Sequence, residues 1–213
     1  MKVKNWMTPD PVTVTPDTPL MDAQKIMSDK GIRRLPVVDK SGRVVGIVTQ
    51  RNIIEASPSE ATTLSVYELN YLLSKLTVDK VMSKDPVVVS PDDLVMEVIQ
   101  IGQERGIGAF PVVEDGKLVG IATETEIIKA MIQILGTRPG RSVITLENVD
   151  LEGNLGAVSR IASIIEKRGV PVAAIFSLPH RSGPGSRVYI RVRTEQPANL
   201  LGDLVNAGFK IGE

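Results

Sequence analysis

The sequence predicts an α/β chain, more strictly α+β: two β-α-β-β-α modules packed as a pair, followed by a β-α-β-β-α-β unit. Three observations carry this. Residues 3–56 align with 78–130 at an offset of 75, which drops to 74 after one turn residue. "MTPDPVTVTPDTPL" matches "MSKDPVVVSPDDLV", and "DKGIRRLPVVDKSGRVVGIVT" matches "ERGIGAFPVVEDGKLVGIAT". Beyond the polar, glycine- and proline-bearing stretch "GTRPGRS", residues 142–213 follow a different pattern.

Each repeat reads the same way. An extended segment, Val12 to Val14 or Val87 to Val89, ends at a Ser/Thr-Pro step that blocks its continuation. A helix follows, with Leu20, Ala23, Ile26 and Met27 on one face, or Leu94, Val98 and Ile101. Gly31 and Gly106 are left-handed stops for these helices. A hairpin comes next, turning at Asp39 to Gly42 in the first copy and at Asp115-Gly116 in the second. Thr49 or Thr123 then caps a second helix. One such module is too small to bury its two apolar strands alone, so the two should pack together. Between them, Ser65 and Glu68 form a capping box opening a helix with Leu69, Leu72 and Leu73.

In the last segment "VITL" is a strand, and "LGAVSRIASIIEKRG" is an amphipathic helix with Leu155, Val158, Ala162 and Ile165 on one face, stopped at Gly169. "VPVAAIFS" and "RVYIRVR" are strands around the loop "LPHRSGPGS", "ANLLGDLVNAG" is a helix and "FKIG" a last strand. The order is that of the ferredoxin-like split β-α-β motif. The domain reading is therefore 1–57, a linker helix at 58–77, 78–135, a linker at 136–141, and 142–213.

Composition narrows the function. Cysteine is absent, which removes disulfides and thiolate chemistry and favours a reducing cytoplasm. A lone histidine, His180, argues against histidine-based triads and most zinc sites. Twenty-five basic residues balance 25 acidic ones, so nucleic acid is not the expected partner. No apolar run reaches membrane-helix length, and "MKVKNWMTPD" lacks a signal-peptide core. No catalytic or metal constellation emerges, so the expected protein is not an enzyme.

On "PVVD…GRVVGIVTQRN" and "PVVED.GKLVGIATETE", both repeats resemble cystathionine-β-synthase-like (CBS) modules, which pair into a disc with two clefts. Residues 142–213 are similar to an ACT domain, a small-molecule-sensing module; Gly153 and Leu155 match its first turn, while Glu152 stands where proline is common. A CBS pair followed by an ACT domain resembles the acetoin-utilisation family of bacterial regulatory proteins. The helix "YELNYLLSKLTVDKVM" resembles that family's linker.

In the CBS family a Ser/Thr-x-x-Asp pattern ends the last strand, and its carboxylate holds the ribose hydroxyls of an adenosine ligand. Here the pattern reads Thr49-Gln50-Arg51-Asn52 and Thr123-Glu124-Thr125-Glu126, with the aspartate replaced in both copies. Asn52 can accept one hydroxyl and donate to another; Glu126 keeps the charge on a longer side chain. Either residue can equally serve its helix start, Glu126 as the second half of a capping box. Arg33 and Arg34 are candidate phosphate contacts or else a solvated edge, and the second copy has Gly108-Ala109 in their place. The clefts should be unequal, and the sequence leaves open which one owns the arginines. Resemblance thus implies AMP, ADP, ATP or an S-adenosyl compound, held by Thr49, Arg51, Asn52, Arg33, Arg34, Thr123, Thr125 and Glu126. Asn148, Asp150, Gly153 and Asn154 are candidates for an amino-acid effector at the first turn of the ACT-like segment, where Glu152 opposes a carboxylate.

"GIG" at 106 to 108 is a helix stop and "SGPGSR" a hairpin loop; neither is a phosphate loop. "RVYIRVR" sends Arg187, Tyr189, Arg191 and Arg193 to one sheet face, but the sequence shows no paired aromatics there for stacking bases. The leading expectation is a homodimeric, non-catalytic nucleotide sensor acting on a regulated enzyme. A scaffold with empty clefts is the alternative, and a nucleotide hydrolase ranks below it.

Overall fold

The computed structural model describes residues 1–56, 71, 75–135, 140–180 and 185–212. The expected linker helix around Ser65 and Glu68 lies outside these, as does most of the 136–141 linker. Two compact units are present, Met1–Ile128 and Lys129–Glu213.

The first repeat supplies α1 (Leu20–Lys30), β2 (Arg34–Val38), β3 (Val44–Thr49) and α2 (Gln50–Ala56). The second supplies α4 (Val95–Arg105), β5 (Ala109–Glu114), β6 (Lys117–Thr123) and α5 (Glu124–Ile134). As the sequence indicates, Gly31 and Gly106 end α1 and α4 in the left-handed conformation, at φ 63° and 66°. Asp115 and Gly116 both take positive φ, the signature of a tight hairpin turn. Leu20, Ala23 and Met27 are buried as expected. In the second copy Val98 is buried as expected, together with Val95 and Gly102, and Ile101 packs partly buried against them; Leu94 lies at the N-cap and is exposed, one residue ahead of the helix.

The expected strands at Val12–Val14 and Val87–Val89 are reduced to single parallel bridges, Val14 to Val37 and Val89 to Val112. Pro11 and Pro86, each preceded by an aspartate at positive φ, interrupt the extended run. True strands fall earlier, and they cross between copies. β1 (Thr8–Pro9) pairs with β6 of the second repeat, while β4 (Ser83–Lys84) pairs with β3 of the first. The turns ahead of them cross too. Val3, in a short 3₁₀ turn, is buried in the second core beside Val95, Val98 and Phe110. Val78, opening α3 (Val78–Val81), is buried in the first core beside Leu20, Leu35 and Val48.

Two glycines make the exchange possible. A side chain at Gly46 would land on the sulfur of Met82 and 3.2 Å from the Ser83 carbonyl. At Gly120 it would land on the sulfur of Met7 and 3.1 Å from the Thr8 carbonyl. Gly120→Val and Gly46→Val should each cost about 1–3 kcal/mol by overpacking, read as a lower urea midpoint; an unchanged midpoint would mean that the lead segments do not seat there.

The crossing lead segment is also held by charge. Lys2 and Lys4 each place Nζ 2.9 Å from Asp92 Oδ1. Hydrogen bonds from Lys4 and then Lys2 lower the Asp92 pKa from 3.8 to about 2. A depressed carboxyl stabilises the fold above its unfolded pKa, so this contribution is complete above about pH 4 and lost as pH falls towards 2. Asp92→Asn should flatten the acid limb of a melting-temperature titration in that window; an unaltered limb would remove the pair from the account. The groups are solvent-exposed, so salt should weaken the effect.

In the second unit, β7 (Ser142–Val149), β8 (Val172–Pro179), β9 (Ser186–Val192) and β10 (Lys210–Ile211) form an antiparallel sheet in the order β10-β7-β9-β8. With α6 (Ala157–Lys167) and α7 (Ala198–Asn206) this is the split β-α-β arrangement. Val188, Ile190 and Val192 face its core, as alternation requires. The buried face of α6 is Ala157, Ile161 and Ile165, whereas Leu155 and Val158 are exposed and Ala162 also points outward. Leu155 precedes the first helical residue, which resets the periodicity. The sheet also contains an aromatic pair that the sequence reading missed. β8 and β9 bring Phe176 opposite Tyr189, with their rings stacked 5.0 Å apart. Beside them Glu147 accepts from Arg187 Nε at 2.6 Å and lies 3.1 Å from His180 Nε2.

Candidate functional site

Among the described residues of the first unit, two clefts are repeat equivalents. One, of about 330 Å³, is walled by Thr8, Pro11 and Val12, by Gly31 to Arg34, and by Ile121, Thr123, Thr125 and Glu126. The other, of about 540 Å³, is walled by Ser83, Pro86 and Val87, by Gly106 to Ala109, and by Ile47, Thr49 and Arg51. Each therefore takes its lead segment and helix stop from one copy and its strand end from the other. The exchange of lead segments builds both.

The arginines do not stay with their own strand end. Arg33 and Arg34 join Thr123, Thr125 and Glu126 in the first cleft, across from the copy that carries them. They also line the second cleft, with Thr49 and Arg51. The seam between the copies explains this. Ile47, Ala109 and Ile121 form a small buried cluster in which Ile47 and Ile121 are repeat equivalents. The equivalent of Ala109 is Arg34, so the fourth corner of the seam is a cation bordering both clefts. Arg34 extends across to Glu124, where the guanidinium and carboxylate lie 3.6 Å apart. Gly108 leaves room for this pair: a side chain there would sit 2.8 Å from the Glu124 carboxyl carbon and 2.9 Å from Arg34 Nη2.

Both strand ends cap their helices. Asn52 Oδ1 accepts from the Thr49 amide at 2.9 Å and from its hydroxyl at 2.7 Å, and the Asn52 amide donates back to Thr49 Oγ1 at 3.2 Å. Thr123 donates its hydroxyl to the Glu126 carboxylate. The Asn52 oxygen is thus engaged in the chain, while Glu126 also faces the first cleft. Arg51 reaches Glu55 at 2.7 Å along the exposed side of α2, and that hydrogen bond raises its pKa further.

Sequence reasoning overlooked Asp10, Glu124 and the lead-segment prolines, all of which line the clefts. Asp10 lies at φ 45°, and Asp85 repeats the strain at 48°. The signal was present in "TPDPV" and "SKDPV", which recur at the repeat offset.

In the second unit Asp150 Oδ1 accepts from the Gly153 amide at 2.7 Å, and Asn154 Oδ1 accepts from Gly156 at 3.2 Å. Asn148 takes φ 54°. The loop satisfies these amides with its own side chains. Among the described residues, no cluster of three or more His, Cys, Asp or Glu is placed to hold a metal, and no helix is long and apolar enough to cross a membrane.

Comparison with known proteins agrees with this geometry. The CBS domain model matches residues 3–59 and 78–133. A CBS domain-containing protein of Dictyostelium discoideum is 29% identical over 141 residues, covering 66% of this chain and 97% of the relative. An uncharacterized protein of Methanocaldococcus jannaschii is 32% identical over 136 residues, 62% of this chain; that match spans only 45% of the relative. Among solved structures, a Vibrio cholerae protein assigned to acetoin utilization (AcuB) superposes with a TM-score of 0.54 at 31% identity, covering 63% of this chain and 93% of that one. CBSX2 in complex with AMP gives 0.52 at 30%, covering 62% and 97%. A CBS domain pair in complex with 5′-methylthioadenosine and S-adenosyl-L-methionine gives 0.52 at 28%, covering 62% and 95%. The family model falls twice on the repeats that build the two clefts and spans more than half of the sequence: the chain belongs to the CBS domain family.

Proposed function

We propose that the chain is a non-catalytic sensor whose CBS pair binds an adenine nucleotide or a related adenosyl compound. The observation carrying this is the pair of repeat-equivalent clefts, each joining one copy's lead segment to the other's strand end, with Arg33 and Arg34 bordering both. AMP, 5′-methylthioadenosine and S-adenosyl-L-methionine in the related structures support the ligand class. In the first cleft Glu126 and Asp10 offer carboxylate acceptors for ribose hydroxyls, Thr123 and Thr125 offer hydroxyls, and the arginines face phosphate. In the second, Thr49 and Arg51 take the corresponding places, whereas Asn52 lines neither cleft and its oxygen serves the helix start.

Residues 142–213 are the ACT-like part of this reading, serving dimerisation or a second effector. The sheet order supports that assignment. Any amino acid binding at Asn148, Asp150, Gly153 and Asn154 must displace Asp150 from the Gly153 amide. Ligand binding regulates a partner enzyme only by favouring one arrangement of the sensor over another.

Thermal shift with AMP, ADP, ATP, adenosine, S-adenosylmethionine and amino acids tests the reading. A ligand at a hundred times its dissociation constant adds about 2.7 kcal/mol of stability, so the melting temperature should climb with concentration. No shift with any adenosine compound would sink the proposal. It would favour a scaffold with empty clefts instead, a reading that the self-capped Thr49–Asn52 and Thr123–Glu126 pairs support.

A further inference from the structure

The two clefts have separate walls but one set of seam cations. Arg33 and Arg34 line both, while the corresponding positions in the other copy, Gly108 and Ala109, bring no charge. Arg51 is the remaining cation in either lining, and its guanidinium is taken by Glu55. Against these three arginines stand three carboxylates in the linings: Asp10 and Glu126 in the first cleft, Glu124 in the second. Two phosphorylated ligands bound together would add several negative charges to a seam already balanced by its own groups.

Resting on the sensor reading above, we infer that Arg33 and Arg34 form a single anion anchor shared by the two clefts. The chain accordingly takes one phosphorylated adenosine ligand at high affinity and excludes a second, while unphosphorylated adenosine compounds can fill both clefts.

Arg34 is the moving part. Its side chain is 26% exposed and rests 3.6 Å from Glu124, the weaker end of ion-pair geometry. A phosphate is a stronger, multidentate acceptor for a guanidinium and draws Arg34 away from Glu124. Once committed to phosphate in one cleft, Arg34 is lost to the other. There the phosphate would face Glu124 or Glu126 with a depleted counter-charge. The bare Gly108 backbone is what admits the Arg34–Glu124 pair, since a side chain there would collide with both groups. Coupling of this kind lets one phosphorylated nucleotide lower occupancy by a second through the shared residues, without overlap of the two sites, and leaves an unphosphorylated compound unaffected.

Isothermal titration of the full chain with adenosine and with ADP tests this. Adenosine should saturate at two per chain. ADP should saturate at one per chain, with any second event at least tenfold weaker. Glu124→Gln removes the competitor for Arg34 and should tighten the first ADP severalfold without altering adenosine. Arg33→Ala/Arg34→Ala should bring the affinity and stoichiometry of ADP to those of adenosine. Two equal, independent ADP sites in the unaltered chain would overturn the shared anchor. So would a single site for both ligands, because that result points to one competent cleft. If no adenosine compound binds at all, both this inference and the sensor reading fall. A double variant that loses adenosine binding as well would also count against it, provided its circular dichroism and melting remain unaltered; Arg34→Lys, which keeps the charge but not the fork, should retain one ADP per chain at reduced affinity.

Discussion

Arg34→Ala should weaken ADP and ATP about 10- to 100-fold while leaving adenosine within about twofold. That span is the worth of one charge-assisted hydrogen-bonded contact, about 1.5–3 kcal/mol. The position is suited to the test: Arg34 opens β2, its side chain is part-exposed, and its only ionic partner among the described residues is Glu124. Removing it leaves no buried charge behind. Equal losses for ADP and adenosine would show that Arg34 does not meet phosphate. Competition titration with a fluorescent adenosine analogue would read both affinities on one scale.

Phe110→Ala should cost about 3–5 kcal/mol of stability, the largest effect of any single change considered, because it empties the centre of the second core. Phe110 is 1% exposed and lies against Gly102. The equivalents in the first copy are Leu35 and Met27, so the repeats trade a large residue on the helix for a large one on the strand. The exchange cannot be reversed locally. A side chain at Gly102 would meet the Ile107 carbonyl at 2.7 Å, so Gly102→Ala should itself be destabilising. Urea unfolding monitored by circular dichroism would measure both; a loss below 1 kcal/mol for Phe110→Ala would mean that this core is loosely packed.

Most of the fold was legible because its signals are local. The helix stops at Gly31 and Gly106, the hairpins, and the alternation of Val188, Ile190 and Val192 all depend on neighbours in the chain. What could not be read depends on pairing over long separations. Nothing local in "MTPDP" says that Thr8 and Pro9 join the other repeat's sheet, or that Gly120 is there to receive Met7. The same holds for the site. Thr123, Thr125 and Glu126 could be listed from the motif, but that they share a cleft with Arg33 and Arg34 follows from the exchange. Phe176 and Tyr189 sit on consecutive strands, but the loop between them hides the register that sets them opposite each other. The buried face of α6 was misread for a smaller reason: the helix begins after Leu155, which shifts the apolar stripe.

The exchanged lead segments also set how the first unit assembles. Closing the second core requires Val3 to reach the Asp93 carbonyl and Val95 to reach that of Met1, and the nearby Lys2–Asp92 contact spans 90 residues. Contacts of that separation incur their loop-closure entropy before they return any stability, so they slow folding and make it concerted. Neither repeat can finish alone, since each holds a piece of the other's interior. The pair should therefore unfold in one transition, and separately produced halves should regain structure only when mixed. A ligand seated in either cleft then steadies both repeats at once, which lets a small molecule act on the whole unit as a single mechanical body.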